Sequence, residues 1–342
     1  MYDILLEQDM SEPARQLGHI QVDKGAADSL ASQLRSWLSE FPVESPVKPD
    51  HRKKLRWPPP ATSHRYHVLA SDWRGSAILE LHGERLPVRI ATASGGVFGR
   101  CEPIWLEARG DSEAQMLENM RMAAEPFFKK AMGINSVLGL PGRFRGHVEN
   151  LEPLSHLKLL FSEDRDIADD GQIEIEKHAG TKLFGPALIE VLHDTRHQCR
   201  RTAQWCVLDL FEELPAYCRD PEEERRAVGA MKALIWDAED DYARTVFKAG
   251  VVIGGHLSET YGGPILIECL AAPSRIGRRS AIHGLFHVVE WVPELRDSVA
   301  TTLRTHAKSE PDPLLADFAR DMAADIASES AEHVHEPLFP GE

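Results

Sequence analysis

The sequence predicts an α+β chain in two parts: a small N-terminal α+β domain with an antiparallel sheet, then about five helix pairs in succession. Three observations carry this. Residues 77–91 form two apolar stretches around a His82-Gly83-Glu84 turn, the pattern of a β-hairpin. From about residue 151 onward the apolar spacing is almost entirely helical. Within that stretch the chain repeats itself. Gly185–Ala203 laid on Gly263–Ala281 without a gap gives 9 identities in 19 positions, at an offset of 78 residues. Half of that offset, about 39 residues, is the length of one helix-pair repeat.

Taken in order, Ala27, Leu30, Leu34, Trp37, Leu38 and Phe41 fall at helical spacing and predict an amphipathic helix over 26–41. A proline-rich stretch follows, with Pro42, Pro46, Pro49 and Pro58-Pro59-Pro60, and it contains the basic run HRKKLRW (51–57). Proline at that density resists helix and central strand, so residues 1–61 read as one helix and a linker. The small α+β domain then spans 62–140. Val68 to Trp73 and Pro103 to Ala108 are expected to flank the hairpin as strands. Ser94–Gly99 reads as a glycine-rich loop, without the spacing of a phosphate or dinucleotide site. Asp111 or Ser112 caps a helix running from about 113 to 132, with a kink or break expected at Pro126.

The helical part spans 151–327, and a polar tail occupies 328–342. Units at 151–179, 223–254 and 294–327 fit around the two that match best. In each of the best two, a helix opening at Gly-Pro buries Leu, Ile and Leu, and a second helix carries Arg and Ala on its first turn. This resembles the HEAT-repeat family of helix-pair α-solenoids. The resemblance implies a ladder in which Asp near the turn pairs with Arg early in the second helix. Asp194 and Arg200 match those places, as does Arg278, whereas Ala272 stands where the later Asp belongs. It also implies a concave face lined by the second helices, serving to grip another macromolecule.

Composition bounds the function. The chain has 342 residues, with 39 Lys plus Arg against 54 Asp plus Glu, a formal charge of −15. That field disfavours a dedicated nucleic-acid binder or a polybasic membrane-surface protein. No apolar run approaches the roughly 18 residues of a membrane span, and the acidic start MYDILLEQDM lacks the basic region of a signal peptide. Five cysteines without a CxxC pair fit neither a disulfide framework nor a structural zinc site, which points to the cytoplasm.

The expected function is therefore a non-enzymatic protein-binding scaffold or adaptor without a cofactor. Its partner-binding residues are sought in the doublets Arg200-Arg201 and Arg278-Arg279. One Arg of each pair belongs to the ladder. Arg201 and Arg279 would form a positive stripe for an acidic protein. The alternative is a bilin-lyase-like chromophore chaperone, with Trp205, Trp236, Tyr242, Trp291 and Arg278 lining an apolar groove. His283, His287 and Glu290 stand at i, i+4 and i+7 of a helix, so two imidazoles and a carboxylate share a face that would suit a metal. With 16 histidines in the chain, the expectation is a plain polar face carrying no stoichiometric iron or zinc. The single His-Glu dipeptide, His335-Glu336, does not match the repeated dipeptides of iron-holding HEAT-like hydroxylases.

Overall fold

The computed structural model describes residues 24–47, 73–93, 95–104, 106–238, 243–257, 261–328 and 338. The chain divides into two compact units, residues 50–147 and residues 1–49 together with 148–342.

The smaller unit is a four-stranded antiparallel meander and one helix. Strands β1 (Trp73–Leu81), β2 (Glu84–Ala93), β3 (Gly96–Cys101) and β4 (Leu106–Gly110) pair in sequence order. The β1–β2 turn falls where the sequence puts it, with φ 47° at His82 and 78° at Gly83. Positive φ at both central residues is the turn that matches strand twist. The glycine-rich segment differs from expectation. It ends not in a loop but in β3, whose Val97, Phe98 and Gly99 pair with Thr92, Ala91 and Ile90. Gly99 lets the covering helix seat Met116 on the strand, since a Cβ there would meet the Met116 sulfur and force that side chain to move. Pro103 lies in a 3₁₀ turn, Glu102–Ile104, so the last strand starts later than expected. Residues 68–72 lie outside the described residues.

Helix α2 (Glu113–Leu138) covers the sheet with Met116, Met120, Ala123, Ala124 and Phe128. Ser112 caps it, its Oγ accepting the Gln115 N–H at 3.2 Å. Pro126 does not end it. The carbonyl left without a donor belongs to Met122, whose side chain is 62% exposed, on a side of the helix that faces water. Gly139, at φ 67°, stops it.

The larger unit is helical. Its first helix, α1 (Lys24–Ser39), sinks Leu30, Leu34 and Leu38 into the core formed by residues beyond 150. The segment after it is also held. Val47 N–H donates to Gln198 O at 2.8 Å and Glu44 N–H to Arg196 O at 3.3 Å. Residues 24–47 thus cluster with the helices rather than forming a segment of their own with the linker. Residues 48–61, including the basic run, lie outside the described residues.

Among the described residues the longer helices that follow are α3 (Pro153–Leu159), α4 (Arg165–Glu176), α5 (Gly185–His193), α6 (Arg200–Leu210), α7 (Pro221–Trp236), α8 (Ala243–Val251), α9 (Gly263–Cys269), α10 (Arg275–Trp291), α11 (Arg296–Ser309) and α12 (Pro313–Ser328), with a four-residue helix, Leu214–Tyr217, between α6 and α7. From α3 onward each odd-numbered helix packs on the even-numbered one after it. The even-numbered helices also pack on one another in order, α4 on α6, α6 on α8, α8 on α10 and α10 on α12, while α5, α7 and α9 do the same. Helices α6, α8 and α10 run in one direction. Thr245 Oγ1 donates to Arg201 O at 3.3 Å, and Ser280 Oγ donates to Val246 O at 2.7 Å. The α8–α10 approach requires glycine: a Cβ on Gly284 would lie 2.6 Å from Gly250 O. Just past α8 the chain makes a π turn, Val252–His256. Leu192, Leu208, Leu270 and Leu285 are buried in this core, and Leu338, in the expected polar tail, packs against it. Among the described residues no helix is long and apolar enough to cross a membrane.

Candidate functional site

Of the four arginines singled out by sequence, Arg200, Arg201 and Arg279 are buried and Arg278 is half-buried. Arg201 and Arg279 are 5% and 0% exposed, so they cannot present a positive stripe to a partner. The Arg279 guanidinium carbon lies 3.9 Å from the Phe318 ring centre and 5.0 Å from that of Phe247, held between α8 and α12. Arg201 donates to Gln204 Oε1 at 3.1 Å, and Gln204 Nε2 in turn donates to the carbonyls of Leu192 and Asp194. The basis for an acidic partner is therefore removed.

The other two arginines organise turns. Arg200 donates to Glu44 O at 2.7 Å and His197 O at 3.3 Å. Asp194 accepts the N–H groups of Arg196 and His197, which shapes the turn ahead of α6. Burial raises its carboxyl, and those two hydrogen bonds oppose the rise. Arg278 finds a different acid from the one the repeat pattern lacks. It forks onto Glu310 at 2.8 and 2.9 Å and also donates to the carbonyls of Ala272 and Pro273. Glu310 sits in the turn of the following pair with its side chain fully buried.

A line of polar side chains instead crosses the even-numbered helices and the turns that follow them. Arg165 Nε on α4 lies 2.6 Å from Asp169 Oδ1 and its terminal nitrogen 3.4 Å from Asp209 Oδ2 on α6. Lys248 on α8 contacts Asp209 and lies 3.7 Å from Glu212 Oε1. Burial pushes the Lys248 amine down to about 8, with the Arg165 charge adding to the shift. The same amine stands 4.6 Å over the Trp205 ring. His256, closing the π turn, has its Nε2 3.9 Å from Glu212 Oε2. Beside it, Gly255 faces His287 and Trp291 of α10, at 3.9 and 3.8 Å from where its Cβ would be. Two cations and four carboxylates (counting Glu290 on α10) make this line net acidic.

At the α10 end the helix brings the expected trio together. His287 Nε2 is 3.2 Å from His283 Nε2, and His287 Nδ1 is 2.6 Å from Glu290 Oε2. The carboxylate is thus bound to the far nitrogen of His287 and does not converge with the two Nε2 atoms. Among the described residues no group of three ligating side chains is placed to hold a metal.

The remaining candidates do not assemble. Trp236 lines a separate cleft between α7 and α9 with Lys232, Ile267 and Glu268, while Trp205 belongs to α6 and Trp291 to the end of α10. Arg278 is engaged with Glu310, and Tyr242 and His335-Glu336 lie outside the described residues. All five cysteines are buried without disulfides. Burial raises the thiols of Cys199, Cys206 and Cys218 to about 12, which leaves them poor nucleophiles.

No family model, curated protein or solved structure matches the chain.

Proposed function

We propose that the larger unit is a HEAT-like stack of five helix pairs that acts as a protein-binding scaffold, gripping its partner along the even-numbered helices. The neighbour relations support the stack. The even-numbered helices touch in order from α4 to α12 and the odd-numbered ones from α5 to α9, as expected where each repeat buries its face against its neighbours, while α1 packs on both α3 and α5. The observation that carries the function is the polar line from Arg165 to Glu290, which ends at Trp291, 67% exposed. An exposed Trp beside charged groups has the composition of an interface anchor and its rim. The line is net acidic within a chain of net charge −15, so the partner segment it suits is basic rather than acidic. Buried, weakly acidic thiols fit the reducing cytoplasm as its setting.

The test is parallel capture from the native host by the wild-type chain and by a Trp291→Ala, Glu212→Lys variant with an unchanged melting temperature. The reading predicts a protein retained by the first, released by rising salt and lost from the second. Equal retention by both would remove the even-helix face as the binding surface.

A further inference from the structure

We propose that His283 and His287 form a two-histidine site for a divalent late transition ion of the zinc class, with Glu290 as the residue that orients His287. The argument begins with the proton on His287. An ionised carboxylate only accepts hydrogen bonds, so the 2.6 Å contact from Nδ1 to Glu290 Oε2 fixes the proton on Nδ1. That leaves Nε2 of His287 as a lone pair. It faces Nε2 of His283, 3.2 Å away. Imidazole nitrogens sit about 2.0–2.1 Å from zinc. Two nitrogens at the observed spacing would then subtend roughly 99–106° at the ion, close to tetrahedral.

The rings stand edge to face at 90°, and a modest turn of each about its terminal torsion aims both lone pairs at one point. Without the ion, His283 donates its Nε2–H to the His287 Nε2 lone pair, so ion binding breaks that hydrogen bond and shifts the His283 proton from Nε2 to Nδ1. Two N–metal bonds form, and no net proton is released. Water completes the coordination.

The ligand set differs from the one the sequence suggests. Glu290 does not bind the ion. It takes the place of the carboxylate that fixes ring tautomer and orientation behind a metal-bound histidine. A clamp of two ligands on one helix turn is open and exchangeable, so it is compatible with protein that carries no ion through purification. Its surroundings suit access: His287 and Glu290 are partly exposed, with side chains at 23% and 43%.

The experiment is calorimetric titration of the full chain, stripped with chelator, with zinc chloride. Wild type is compared with His283→Ala, His287→Gln and Glu290→Gln. With 16 histidines in the chain, the informative quantity is the difference between variants rather than uptake itself. The proposal predicts one equivalent of zinc lost in either histidine variant. It predicts weakening of about tenfold or more in Glu290→Gln, where the oxygen remains but its charge does not. Cobalt bound by wild type alone should give the visible bands of imidazole coordination. His287→Gln, at a partly exposed position, keeps the test sound if His283→Ala fails to fold. Zinc uptake identical in wild type and folded His287→Gln, or no uptake by wild type at millimolar zinc, would overturn the site.

Discussion

Arg279 has the most to say at the scale of a single residue. A guanidinium between two phenyl rings, fully buried, contributes both its charge and the packing of its long stem. Truncation to Ala should cost about 3–5 kcal/mol, the range for emptying a large core site. Arg279→Met loses the guanidinium between the rings but keeps most of the buried stem, and it should cost less. Urea unfolding of the two variants checks the order, and an Ala variant as stable as wild type would contradict the packing. His197 makes a second prediction. Trp37, Phe41 and Phe161 surround it, and its Nδ1 accepts the Cys199 N–H at 3.0 Å. Burial lowers its pKa from 6.5 to about 4, with the Arg200 charge adding to the effect. Above pH 6.5 the ring is neutral in both folded and unfolded chains and pH has no leverage. Between 6.5 and about 4 only the unfolded chain gains the proton, so stability falls as pH falls, by on the order of 3 kcal/mol in all. Urea midpoints at pH 7, 6 and 5 should drop in wild type and drop less in His197→Gln. Parallel lines for the two proteins would show that His197 is not the group responsible.

At the scale of elements, the Arg278–Glu310 fork links the turn before α10 to the turn before α12. Removing Arg278 leaves the buried Glu310 carboxylate with His306 Nε2, 2.9 Å from its Oε2, and the Asp312 N–H on its Oε1, so Arg278→Ala should destabilise by about 3 kcal/mol, the low end for a broken buried pair. Changing both, Arg278→Met with Glu310→Gln, should recover part of that loss. Thermal melts of the single and double variants decide it. This contact also marks where the sequence was legible and where it was not. The Gly-Pro openings, the apolar Leu positions and the hairpin turn were readable because they are local: each depends on residues within a few positions. Glu310 was not readable as the partner of Arg278, since the pairing joins two turns separated by a whole helix pair. Gly99 looked like a loop residue because its true constraint, Met116, comes from the next element. Arg279 had a usable signal. Ile276, Leu285 and Phe286 flank it on α10 and are buried, so helical spacing alone argued for an inward face. An arginine doublet read as a surface feature overrode that pattern.

At the scale of the whole molecule, the two units follow different rules. The sheet unit is a meander closed by one helix, each strand pairing with the next in sequence. The helical unit recruits α1 from well before the sheet in sequence, against helices after it, so the sheet unit is inserted in sequence between two parts of one core. Sequence periodicity identified α1 but had no means of saying what its apolar face would meet. The even-numbered helices then pack on one another in order, and together with the turns after them they carry the polar line and Trp291. A scaffold of this kind binds along that face. The most direct measurement is covalent footprinting of the full chain with and without its captured partner, read at Trp291, Glu212 and Glu290 and, for comparison, at Trp236 and Glu268 in the α7–α9 cleft. The account predicts protection at the first three and unchanged labelling at the other two. Protection at Trp236 and Glu268 with Trp291 still fully labelled would contradict it.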